Sequence, residues 1–292
     1  MIGLVRRHCL LYFRDKTHVF FSMLSVLITI LLYILFLSAI MTESIANELP
    51  DVELSAVGRV ISGMVLAGTI AVATVSTSIS GILRLVIDRE DISKDFYVSP
   101  IARFKLHFSY VISSWIISFI MSFMALVATV FYLSSANVFE FSIAQYFKLL
   151  VTLILGVISA NSMMFLFACA IRSRNAFSSI SSIIGTLIGF LAGVYIPVGN
   201  LPAGVVSIIQ FFPTAHTASM FRQVLAGDKL TSLMYQAPYG LQNEIESFFG
   251  VRFQIGEFTT GFIFSALLLV ITSVMFYLLG IWFMKKRPYV MK

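Results

Sequence analysis

The sequence predicts an all-α integral membrane protein. It has six transmembrane helices, an N-terminal interfacial helix, one charged cytosolic connection, and a re-entrant and external segment before the last span. Three observations predict this. Of 292 residues, 59% are hydrophobic and only 12% charged, against about 25% charged in a soluble domain, so there is too little polar surface to cover a globule. Six apolar stretches, 19–41, 60–83, 108–133, 149–171, 177–197 and 258–284, reach the roughly 20 residues that a helix needs to cross the hydrocarbon core. None of the six contains Asp, Glu, Lys, Arg or His.

Orientation follows from the basic residues. Arg6, Arg7, Arg14 and Lys16 precede the first span. Arg84, Arg89, Lys94, Arg103 and Lys105 fall between the second and third, Arg172 and Arg174 after the fourth, and Lys285, Lys286, Arg287 and Lys292 after the sixth. These are fifteen of the 20 Lys and Arg residues. The positive-inside bias then places both termini in the cytoplasm. The net charge of +6 is read through this distribution, and no nucleic-acid partner is expected.

Residues 1–18 are expected to form an interfacial helix, with Val5, Cys9, Tyr12 and Phe13 on one stripe and arginines placed near anionic headgroups. The first span is read as retained rather than as a signal-peptide core, because the run exceeds twenty residues and no clear cleavage site follows it. Residues 19–284 then form the six-span domain and 285–292 a basic cytosolic tail. Outside, residues 198–257 are long. Positions 204–212 are apolar but too short to span and are flanked by Pro197, Pro202 and Pro213, which reads as re-entrant or interfacial. Residues 231–256 turn polar and read as a small external cap.

Recognisable catalytic chemistry is missing. There is no phosphate-binding glycine loop ending in Lys-Ser/Thr, no His-Glu-x-x-His, and no nucleophile elbow. His8, His18, His107 and His216 are scattered and read as surface residues near the interfaces, and Cys9 and Cys169 as isolated packing thiols. No metal site is expected. With no ionisable group inside the spans, a buried proton relay is absent, so the work must come from elsewhere, with sodium coupling through backbone carbonyls as the remaining self-contained option.

The spans are instead rich in small and hydroxylic residues. Thr69, Thr74 and Thr77 lie in the second span. In the fifth, Gly185, Gly189 and Gly193 recur every four residues and are expected to form one flat stripe for close packing, within the chain or against a second copy.

The charged connection, 84–106, contains Asp88, Arg89, Glu90, Asp91, Lys94, Asp95, Arg103 and Lys105. Its acids are expected to start a short helix, with Ile92 and Phe96 sharing one face. Ser99-Pro100 would then start the next helix as N-cap and first position.

These segments resemble a known family. "DREDISKDFYVSPIAR" is similar to the intracellular segment of ABC-2 type exporter permeases. "GVYIPVGNLPAGVVSIIQFFPTAHTASMFRQVLAG" is similar to that family's second signature through Pro197, Leu201-Pro202, Pro213, Arg222 and Gly227. The six-span order, interfacial helix and long last outer loop fit the same family. The drug- and haemolysin-exporter permeases are the nearest in kind. The resemblance implies a bacterial plasma-membrane homodimer with two copies of a separate ATPase chain, which binds the ATP and Mg. Asp88, Glu90, Asp91, Ile92, Lys94, Asp95, Phe96 and Arg103 would couple to that ATPase, and spans two and five would border the pathway. Phe-rich, uncharged spans suggest an amphipathic or lipid-like cargo such as a drug or toxin. A carrier or channel that works without an ATPase is the alternative, and a membrane-embedded enzyme finds no clustered polar residues to support it.

Overall fold

The computed structural model describes residues 1–33, 35, 42, 54–91, 103–135, 141–171, 173–233, 241–256 and 258–286. Its helices are α1 (Ile2–Arg14), α2 (Lys16–Leu32), α3 (Leu54–Asp91), α4 (Arg103–Ser135), α5 (Ile143–Ala170), α6 (Arg174–Leu191), α7 (Ala203–Ile209), α8 (Pro213–Leu225), α9 (Gly227–Leu233), α10 (Leu241–Phe249) and α11 (Phe262–Lys286). Strands β1 (Gln254–Ile255) and β2 (Phe258–Thr259) form a two-residue antiparallel hairpin before α11.

By length and composition, four helices among the described residues can cross a membrane: those within 56–90, 105–134, 143–170 and 262–286. A fifth is added if α1 and α2, bent by 77°, count as one broken span. The bend sits at Asp15, which follows the last residue of α1 and accepts the His18 N–H at 2.9 Å at the start of α2. One residue thus closes one helix and caps the next. The expected fifth span is the 18-residue α6, about 27 Å long at 1.5 Å per residue. Its first turn carries Arg174 and Asn175, so its apolar length is shorter still.

Helix starts follow their sequences. Ser142 and Gln145 form a reciprocal capping box at α5, Ser173 accepts the Ala176 N–H at α6, and Pro213 occupies the first turn of α8.

The core is built around α3, which packs on α2, α4, α5, α6 and α8. Lipid supplies no hydrophobic drive between helices, so small residues and hydroxyls hold them. A Cβ on Gly81 would lie 2.7 Å from Ser114 Oγ, and one on Gly156 would lie 2.6 Å from the Thr217 methyl. Thr77 Oγ1 and Ser122 Oγ are 3.0 Å apart between α3 and α4. Asn161 on α5 donates to Ser78 on α3 at 2.8 Å and to its own helix at Val157 O, and accepts from Ser114 on α4. One amide therefore joins three helices in a fully buried site.

The segment read as re-entrant or interfacial is a short helix with exposed apolar residues. The 204–212 run covers most of α7 and the turn after it, with Ile208 exposed on the helix and Phe211 exposed in the turn. It is α8 that is buried almost all round, between α3, α5 and α11. Pro197 and Pro202 each precede a short helical piece and Pro213 opens α8, letting the chain turn back into the bundle.

Asn161→Ala should lower the thermal unfolding midpoint in detergent by the equivalent of about 0.6–1.7 kcal/mol, the measured scale for interhelical hydrogen bonds in membranes. An unchanged midpoint would show that the amide bridge adds no stability.

Candidate functional site

The charged end of α3 is an assembly point. The sequence placed Asp88, Glu90 and Asp91 at the start of a short cytosolic helix. The structure instead continues the long helix through Asp91, so these acids stand at a C-terminus. That end of the macrodipole disfavours acids by only about 0.3–1 kcal/mol, and the partners gathered there outweigh it.

Asp88 is buried at 2% exposure. Its Oδ2 accepts from Arg7 Nη1 and from the Tyr110 hydroxyl, both at 2.9 Å, and its Oδ1 lies 2.7 Å from Arg84 Nε, one turn back. The carboxylate thus ties α1 and α4 to α3. Arg89 points elsewhere and donates to Ala168 O at 2.8 Å and Ile171 O at 2.7 Å, neutralising the carbonyl end of α5. Glu90 accepts the Arg174 N–H at 2.7 Å, at the amide end of α6. Both placements agree with the helix dipoles. Consecutive helical residues project about 100° apart, so three neighbours in sequence reach three sides of the stem.

His8 completes the junction. It is buried beside the Tyr110 ring, 4.1 Å between centroids, and near Ser109, so it is not a surface residue as the sequence suggested. The buried residues of α1 are His8 and Tyr12: Tyr12 belongs to the expected stripe, Val5 and Cys9 are half-buried and Phe13 is exposed, and Tyr12 bonds Ser22 of α2 at 2.7 Å. Burial first, and then the Arg7 and Arg84 guanidinium charges, hold His8 down at about 4, while Asp88 pulls in the other direction.

A second charge is locked at the opposite end of α6. Arg222, 1% exposed, donates from Nη2 to Ala192 O at 2.5 Å and Gly193 O at 2.9 Å, and from Nε to Met64 O of α3 at 3.1 Å. Gly250 O lies 3.5 Å from Nη1. No carboxylate is among these partners; carbonyls just past the C-terminus of α6 take the cation. Gly193 (φ +61°) is the left-handed residue that ends α6, with Gly193 N–H on Phe190 O and Val194 N–H on Gly189 O, the paired bonds of a Schellman stop.

The glycines therefore do not form one stripe. Gly193 lies beyond the helix, Gly189 is covered by Tyr195 of the same chain, and only Gly185 has open space. A larger side chain at 189 would strike Tyr195. Thr69, Thr74 and Thr77 are buried and bond backbone carbonyls one turn back, at Leu66, Ala71 and Ala73. Pro197, Pro202 and Pro213 set up the turns that bring Arg222 inward. Ile92, Lys94, Asp95 and Phe96 lie outside the described residues, as do the side chains of Asp91 and Arg103. Sequence reasoning missed Asn161 and underread His216, which joins Ser265 Oγ at 3.0 Å and Gln210 O at 2.7 Å. For Asn161 the signal was a strongly polar group within an otherwise apolar helix.

A family model described as ABC-2 type transporter matches residues 1–226. No curated protein matches the chain.

Below its ordinary value of 6.5, an unfolded His8 takes a proton that the folded site refuses until about 4. Stability present above pH 6.5 is therefore lost as pH falls towards 4. Thermal melts between pH 7.5 and 4.5 should show a steeper fall for the wild type than for His8→Gln; equal slopes would remove His8 as the cause.

Proposed function

The chain belongs to the ABC-2 type transporter family, and we propose that it is the permease of an ATP-driven exporter, working as a homodimer with two copies of a separate ATPase chain. Family membership makes it a transmembrane component of an ABC transporter whose partner is an ATPase subunit. The further reading is that ATP and Mg bind on that partner and that the permease lies in a bacterial plasma membrane with both termini cytoplasmic. It moves an amphipathic or lipid-like compound, of the drug, toxin or haemolysin kind, outwards.

The observation that carries this reading is the three-way anchoring of Asp88, Arg89 and Glu90. The connection that follows α3 is the segment an ATPase would grip. Ile92 and Phe96 would be its buried anchors, with Lys94, Asp95 and Arg103 orienting the contact. A push on that segment enters a stem already fastened to α1, α4, α5 and α6, so it moves several helices rather than bending one loop. The exposed face of α6, with Ser178, Ser182, Gly185 and Thr186, suits a pathway wall or the second copy.

The orientation is tested by cysteine labelling in intact cells. Probes at the exposed positions Asn243 and Ser247 should react from outside and probes at 92–98 should not; labelling of the second set would reverse the topology.

Coupling is tested by two kinds of variant at equal membrane abundance. Ile92→Asp and Phe96→Asp should insert normally yet lose ATPase capture and export, since a lost interface anchor costs about 2 kcal/mol or more, while Lys94→Ala changes little. Arg89→Gln, whose side chain faces α5, should still capture the ATPase but export poorly. Wild-type capture and export by Phe96→Asp would refute the docking role.

A further inference from the structure

Between α4, α5 and α11 runs an apolar groove with a cavity volume of about 710 Å³. Phe108, Val111 and Trp115 form one wall, Leu155, Ile158 and Phe165 the floor, and α11 from Val270 to Lys285 the other wall. At 1.5 Å per residue that wall is about 22 Å long, beyond the half-thickness of a hydrocarbon core of about 30 Å. The floor is tight: a Cβ on Gly280 would lie 2.8 Å from the Phe165 ring.

Two features define what fits. The polar groups inside are already used within the protein: Trp115 Nε1 donates to the Tyr277 hydroxyl at 2.6 Å, and Ser273 donates to Leu269 O at 2.5 Å. A sugar or peptide entering there would lose its water without finding partners, whereas a hydrocarbon chain would not. The basic lining groups are His107 and Lys285, and no Asp or Glu is among the lining residues. Lys285 is exposed at the end of α11, where headgroups meet the helix. Exposed Leu267, Ile271 and Leu278 on the same helix leave it open to the bilayer.

We infer that this groove is a binding site for an anionic phospholipid of the leaflet on the Lys285 side, with one acyl chain between α4 and α11 and the phosphate headgroup beside Lys285 and His107. Basic positions at such depths between helices select anionic headgroups. The site stands apart from the transport reading and holds whether or not the chain exports anything.

The chain has two tryptophans, Trp115 and Trp282, so Trp282→Phe leaves the groove residue as the sole emitter. In reconstituted vesicles, brominated phosphatidylglycerol should quench Trp115 at about fivefold lower mole fraction than brominated phosphatidylcholine, the factor one lysine near a membrane surface contributes. Lys285→Gln should bring the two lipids close to parity, Lys285→Arg should keep the preference, and Lys286→Gln, outside the lining, should leave it unchanged. Equal quenching by both lipids would mean ordinary annular contact. Absence of quenching by either would mean that protein, such as a second copy, covers the groove. Both results overturn the site.

Discussion

A carboxylate held at 2% exposure beside a bilayer must find its partners inside the protein, and Asp88 finds them on two other helices. Much of the architecture of the basic face follows from that demand. Arg7 is available only if α1 folds back under the bundle, which the sharp elbow at Asp15 allows. Tyr110 is available only if α4 starts close to where α3 ends. Burial of a paired charge is weak evidence for net stability, because desolvation offsets most of the attraction. What the contacts show is a constraint: one carboxylate holds α1, α3 and α4 together.

Arg222 imposes the matching demand at the far end of α6. A guanidinium in the interior is tolerated when its donors meet acceptors in a fixed fork, and here the acceptors are backbone carbonyls exposed by a helix that stops. Gly193 and Gly250, both at positive φ, turn those carbonyls inward. The space is kept by Gly68, where a Cβ would come within 3.0 Å of Nη2. The conspicuous proline and glycine spacing of 197–227 is thus the local chemistry needed to bring one arginine back into the bundle.

The membrane class, most helix positions and the existence of a separate first helix were legible because hydropathy and charge are properties of short windows. The partners were not. Asp88 and Arg7 are 81 positions apart, and Arg222 and Met64 158, and nothing local announces such pairs. The acids of 88–91 were misread for a related reason: dipole preference is a small term, and it yielded to contacts from distant helices. The four-residue glycine spacing misled because it presumed a helix running past Leu191, when Gly193 is the residue that ends it. Asn161 was readable in principle, as a polar group in an apolar stretch, but what it and His216 join was not.

Taken together, these contacts give α6 an unusual suspension. Its amide end meets the negative Glu90 and its carbonyl end meets the positive Arg222, each the favourable sign for that end of the dipole. Between them, its buried positions are Phe177, Ser181, Ile188 and Gly189, and the rest of the helix is half-buried or open. Glu90 belongs to α3, and Arg222 also binds Met64 of α3. Both ends of α6 are therefore referenced to the same long helix. A displacement of α3 that preserves these bonds must carry α6 with it as a unit, while the open face keeps α6 free to change its neighbours. That combination, fixed ends on one long helix and an open hydroxyl-bearing face, is what the pathway wall proposed for α6 would need.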